Sequence, residues 1–202
     1  MKFAQRQRAA LVNLMEELGP LAPTKCEGWQ TQDLAAHLYV REHRPDALPG
    51  IGLPRFADRT ERIQMSELHS RGFLPIVSAL RTPGWIMRPV DNLVNASEFF
   101  IHHEDVLRAN GRSQTLTAQE QQQLWPIVKV LARKTQRAYE GQLLITRTDT
   151  GAEQKIGKGN RPLHLSGLPS ELLLHLSGRE ADVDVTGEPE SVERWRSAVG
   201  GL

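Results

Sequence analysis

The chain has 202 residues, with 25 Lys and Arg against 24 Asp and Glu and a formal net charge of +1. That balance argues against a nucleic-acid binder driven by a basic surface, and no apolar run approaches the ~20 residues that span a bilayer. A lone cysteine cannot close an internal disulfide, and the N-terminal MKFAQRQRAA lacks the apolar core of a signal peptide, so a cytoplasmic, reducing location is expected.

A first helix is expected over residues 3–18, with Phe3, Leu11, Leu14, Met15 and Leu18 apolar and Arg6 and Arg8 opposite. Gly19-Pro20 stops it. After the linker LAPTKCEGW, Thr31 is the expected N-cap of a second helix that ends before Pro45. On that helix Asp33, Leu34, His37, Val40, Arg41 and Arg44 share a face. The stretch PDALPGIGLP reads as loop. A third helical region covers about residues 58–81, with a break expected at Gly72 or Pro75. Thr82-Pro83-Gly84-Trp85 then leads into a helix over Asp91–Ala109, closed by Asn110-Gly111. Thr117 and Glu120 have capping-box spacing and open a helix through about Tyr139. Residues 1–140 therefore read as a helical domain with enough helices for a four-helix bundle.

After Gly141 the period changes. Gln142–Thr148 reads as a strand, Asp149-Thr150-Gly151 as its turn, and AEQKIG as the returning partner. A short strand at Leu163–Leu165, a helix opened by Pro169-Ser170 and closed at Gly178, an alternating strand at Ala181–Thr186 and an amphipathic helix over Pro189–Val199 follow. Residues 141–202 read as a small α+β domain, so the fold class is α+β.

The helix over Asp91–Ala109 carries the chemistry. At about 100° per residue, Asp91, Asn95, Glu98, His102 and Asp105 form one stripe, flanked by Val94 and Ile101. Leu93, Ala96, Phe100 and Leu107 lie opposite. An ordinary amphipathic helix turns its polar stripe to water; apolar flanks on both sides suit a stripe lining a cavity. Glu98 and His102 stand four apart, where both reach one cation. On spacing alone the blander reading, a solvated Glu–His pair, is the commoner one. His37 is the natural third ligand from a second helix. His103 points about 140° away from Glu98 and is excluded as its partner. Asp105, one turn beyond His102, suits either a fourth ligand or an acceptor that orients His102, the latter being favoured. Two histidines and a carboxylate accept Zn2+, Ni2+ or Fe2+, with zinc the default.

The segments CEGWQTQDLAAHL and EFFIHHEDVLRA together resemble the mycothiol-dependent maleylpyruvate isomerase family, whose N-terminal half belongs to the DinB-like metal-binding bundles. The stretch from ELLLHLSGR through VTGEPESVERW resembles that family's small second domain. The REHRPD segment and the short N-terminal half resemble an actinobacterial subgroup. The resemblance implies a divalent metal, usually zinc, on one early histidine and a later Glu-x-x-x-His pair, which fall on His37, Glu98 and His102. Many DinB-like proteins place a histidine where Glu98 stands, and the carboxylate matches the isomerase branch. It further implies a low-molecular-weight thiol cofactor, and isomerisation or S-transfer on a small electrophilic substrate.

Arg41 and Arg44 share the His37 face and could hold a substrate carboxylate, although surface pairing with nearby acids is the commoner fate of such arginines. Cys26 reads as a packed cysteine beside Trp29, with no histidine placed by sequence to activate it. His69, His164 and His175 have no ligand-like partners. Arg179, just past Gly178, is a candidate to reach the cleft. Two functions remain open: a metal- and thiol-dependent transferase or isomerase, or a non-catalytic module in which a metal fastens the helices around a small ligand. An open coordination position favours the first and a closed four-ligand site the second.

Overall fold

In the computed structural model, which describes residues 2–52, 54–84, 94–159 and 162–200, the apolar spacing of the N-terminal segment folds as α1, Phe3–Leu18. Gly19 ends it at φ 80°, a backbone conformation that glycine adopts without cost. The second helix, α2, spans Thr31–His43. Its N-cap is Gln30 and not Thr31: the Gln30 N–H donates to Asp33 Oδ2 at 2.9 Å, while the Thr31 hydroxyl turns back to the Gly19 carbonyl. An acidic residue at the third helical position thus caps this end, and the threonine ties α2 to the end of α1.

The Pro- and Gly-rich stretch expected as loop contains a one-turn helix, α3 (Leu48–Gly52), and a 3-10 turn at Pro54–Phe56. Proline is tolerated in a first helical turn, where its missing N–H is not needed. The buried Ala47 anchors this turn, its carbonyl accepting from Gly50 N–H at 3.1 Å and Thr60 Oγ1 at 2.7 Å. The third helical region is broken at Gly72, φ 80°, into α4 (Ala57–Arg71) and α5 (Phe73–Ala79). Helix α6 spans Val94–Ala109; Asp91 and Leu93 of the sequence stripe lie outside the described residues. Helix α7 spans Ala118–Tyr139, with the Thr117–Glu120 capping box formed.

The chain divides into two compact units, Met1–Gln114 and Thr115–Leu202. In the first, α1 packs along α6 and α2 packs on α4 and α5. Leu11, Met15, Leu34, Leu38, Ile76, Val77 and Phe99 form the centre of its apolar core. In the second, β1 (Leu143–Arg147), β2 (Glu153–Ile156), β3 (Leu163–Gly167) and β4 (Asp184–Thr186) form a mixed sheet in the order β2-β1-β3-β4. β1 pairs antiparallel with β2, Leu143 opposite Ile156, and parallel with β3, Leu143 opposite Leu163; β3 and β4 run antiparallel. Helix α8 (Pro169–Leu176) packs on α7, as does α9 (Pro189–Gly200), whose fully buried Trp195 meets Tyr139 edge-on at 5.5 Å. The fold is α+β. No described helix is long and apolar enough to cross a membrane.

Candidate metal centre

Helix α6 is buried on every side from Phe99 through Leu107. Its polar side chains are therefore covered by protein, and burial without partners would be costly. Each one finds a partner. His103 Nδ1 lies 2.8 Å from Gln7 Oε1 on α1, so it faces away from Glu98, as helical phase requires. Burial pushes its pKa down to about 4, with Arg6 adding repulsion. Glu104 accepts from Arg108 Nε at 2.7 Å and Gln114 Nε2 at 2.9 Å.

On the other side of α6, the structure brings together three residues that the sequence singled out. One ligand atom each from His37, Glu98 and His102 lies within 4.8 Å of the other two. His102 Nε2 is 3.8 Å from Glu98 Oε2, while its Nδ1 lies 3.0 Å from Asp105 Oδ2. Asp105 is 1% exposed, and an acceptor oxygen behind Nδ1 favours the tautomer whose bare Nε2 faces Glu98. The His37 ring sits between Trp29 and His102, at centroid distances of 5.0 and 5.9 Å. Burial pushes His37 down to about 3, with His102 and Arg41 adding, so its imidazole is neutral, as a metal ligand must be. Two imidazoles and one carboxylate, with a carboxylate already behind one ring, form a donor set that suits a divalent cation.

Arg41 belongs to the same cluster. It is 5% exposed, its Nη1 donates to Asn95 Oδ1 at 2.6 Å, and its Nε lies 3.6 Å from Glu98 Oε2. Asn95, on the stripe but without a role in the sequence reading, passes the connection on. Its Nδ2 donates to Glu42 Oε1 at 3.1 Å. Glu42 is fully buried and holds Arg8 in a two-pronged pair at 2.6 and 2.8 Å, together with the Gly84 N–H at 3.1 Å. A polar string thus runs from α1 through α2 and α6 to the Glu98 carboxylate. Arg8, expected on the face of α1 opposite its apolar residues, is 2% exposed and lies over the Phe99 ring. No periodic signal in the sequence marks a charge pair spanning 34 residues.

Arg44 stands apart from the cluster, paired in two-pronged fashion with Asp46 at 2.9 Å and with Glu67. Gln64, which the sequence reading did not single out, approaches from α4, its carboxamide nitrogen 3.1 Å from His37 Nδ1. Cys26 packs near Trp29 against the apolar core, yet its Sγ is 3.2 Å from Asp105 Oδ2 and 3.7 Å from His102 Nδ1. A histidine does stand beside this thiol, contrary to the sequence expectation. The linker carrying Cys26 is fastened to α6 by the Lys25 N–H to the Asp105 carbonyl at 3.0 Å, a long-range contact invisible in local pattern. Cys26, His102 and Asp105 form a second group with ligand atoms within 4.8 Å. His175 accepts from Trp195 Nε1 at 2.8 Å, a packing role, and Arg179 Nη1 donates to the Ser177 carbonyl within its own unit.

No protein-family model matches the sequence, and no curated protein does. Among solved structures, the chain is similar to a crystal structure of mycothiol-dependent maleylpyruvate isomerase, at 13% identity, covering 92% of this chain and 90% of that one, with a TM-score of 0.46. A histidine-to-alanine mutant of the same enzyme matches at 12% identity and a TM-score of 0.45 over the same coverage.

Proposed function

We propose that this chain binds a divalent metal through His37, Glu98 and His102 and, with a small thiol as cofactor, acts as a transferase or isomerase on a small electrophilic substrate. One observation carries the reading: the three ligand atoms converge within 4.8 Å from two helices. The sequence motifs that resemble the maleylpyruvate isomerase family support it. Zinc is the default occupant, and Ni2+ or Fe2+ accept the same donors. Held by His37, Glu98 and His102, such a cation would lower the pKa of a coordinated thiol and so supply a thiolate at neutral pH for addition to an activated double bond or displacement of a leaving group.

The chain's own residues divide the remaining work. Asp105 keeps the His102 proton on Nδ1. Arg41, braced by Asn95, places a fixed positive charge beside Glu98 that a substrate carboxylate can share. With three protein ligands, a four-coordinate cation would have room for the thiol, so the chain need not supply the nucleophile. Residues of the second set, Cys26 and Asp105, favour the alternative reading of a non-catalytic, metal-fastened binding module, because they could close the coordination around His102.

Metal analysis of the purified protein separates these readings. His37→Ala and His102→Ala are each expected to lose most of the metal, and Cys26→Ser to retain it. Full retention in both histidine variants sinks the assignment. Loss in Cys26→Ser with retention in His37→Ala moves the metal to the second set. A panel of thiols and electrophiles then tests turnover, and no metal-dependent turnover with any pair favours the binding module.

A further inference from the structure

The two histidines of the cluster are held from behind in different ways. His102 Nδ1 faces the Asp105 carboxylate on its own helix at 3.0 Å, whereas His37 Nδ1 faces the Gln64 carboxamide on α4, whose Nε2 is placed 3.1 Å away. An imidazole binds a cation through the nitrogen that carries no proton, so a ring ligating through Nε2 must keep its proton on Nδ1 and needs an acceptor there. A carboxamide offers either a donor or an acceptor, and half a turn about its last bond exchanges them. Trp29 on one side and His102 on the other limit how far the His37 ring can turn.

We propose that Gln64 is a positioning residue of the metal centre: with its carboxamide turned over by half a turn from the placement in this structure, its Oε1 accepts the His37 Nδ1 proton and so presents a bare His37 Nε2 to the cation. This rests on the metal reading above. The residue type at this place also sets the charge of the centre. Glu98 and Asp105 bring negative charge, Arg41 brings positive charge, and Gln64 brings none. A divalent cation then leaves the group net positive, which suits an anionic incoming ligand such as a thiolate. A glutamate at position 64 would hold the same Nδ1 proton and cancel that excess.

Two substitutions separate orientation from charge. Gln64→Leu removes the acceptor and is expected to lower metal affinity about 10- to 100-fold in competition with a chromophoric chelator. Gln64→Glu restores an acceptor and is expected to bind the metal at least as tightly as the original protein. With Co2+ as the metal, thiocyanate binding followed by visible absorption is expected to be weaker in Gln64→Glu than in the original protein. Nitrogen-15 NMR of the zinc-loaded original protein is expected to show the His37 proton on Nδ1, a readout that needs no variant. Unchanged metal affinity in Gln64→Leu, equal loss in both variants, or a His37 proton on Nε2 overturns the positioning role. Thiocyanate affinity that does not fall in Gln64→Glu overturns the charge role. Thermal melts of the metal-free proteins identify a variant that fails to fold, in which case the NMR decides. An original protein that takes up no metal refutes the proposed function itself, whereas normal uptake with an indifferent Gln64→Leu refutes only this inference.

Discussion

The two units spend their buried polar groups differently. In Met1–Gln114, the buried side chains include Arg8, Arg41, Glu42, Glu67, Glu104 and Asp105 together with His102 and His103. In Thr115–Leu202, Arg147 is the buried charged residue among those described, and it is paired with Asp149 at 2.7 Å and lies over the Trp125 ring. Beside uncharged polar residues such as Gln121, Thr135 and Ser170, the second unit buries Leu172, Leu173, Leu174, Leu176, Ile145, Leu165 and Trp195. Removing charges from water is expensive, and replacing a buried ion pair by apolar residues is often neutral or stabilising. A unit built for stability alone has little use for such a string. The difference teaches that the first unit retains costly groups around the proposed metal centre, while the described residues of the second bury few charges.

Truncating Glu42 should break the contrast most severely. Glu42→Ala leaves Arg8 buried without its carboxylate and is expected to destabilise the first unit by ~3–5 kcal/mol in urea denaturation. A loss below ~1 kcal/mol would show that the string contributes little and that the contrast is superficial. Leu173→Ala, in the apolar core of the second unit, is expected to cost ~2–5 kcal/mol through transfer and cavity terms. Hydrogen exchange should report the loss in residues 115–202, with metal content unchanged; metal loss in this variant would mean that the two kinds of core are not separable in function.

A pH titration sharpens the comparison further. His103 has its folded pKa depressed from 6.5 to about 4, so over that window the unfolded chain holds a proton that the folded one does not. Stability therefore rises with pH across the window, falls as pH drops from 6.5 toward 4, and loses no more to this group below that. His103→Asn is expected to flatten the slope of metal-free stability against pH between 4 and 6.5. His37 and His175 shift the same way, so part of the slope should remain. An unchanged slope would show that His103 is more solvated than its packing indicates. Arg44→Ala should matter least. Arg44 is itself 37% exposed and its pair with Asp46 lies at the surface, where such contacts contribute ~0–1 kcal/mol; the buried Glu67 keeps Arg71 as a partner, and metal affinity should not move.

Much of the site was legible because its parts are local. Glu98 and His102 share a face by spacing alone, phase turned His103 away, and Asp105 falls one turn beyond His102. His37 was legible as a candidate, but only packing brings it within reach of the pair. Gln64, Asn95, Glu42 and Cys26 were not legible as its neighbours. Their roles depend on contacts between residues 27 to 79 positions apart, as in Gln64–His37 and Cys26–Asp105, and no periodicity encodes such a distance.

By itself, the sequence determined the longer helices and the strands, though not the short turns of helix at Leu48–Gly52 and Pro54–Phe56. Apolar period, Gly19 and Gly72 at positive φ, and the Thr117–Glu120 box all act within a few residues of where they stand. Tertiary structure alone decided that β1 runs parallel to β3, that α7 packs on α8 and α9, and that Asn95, His102 and Asp105 of the α6 stripe are buried. The physical reason is the same in each case. Local structure follows from backbone sterics and nearby side chains, whereas these features depend on which surfaces meet, and that is settled by burying the apolar faces of the whole chain at once.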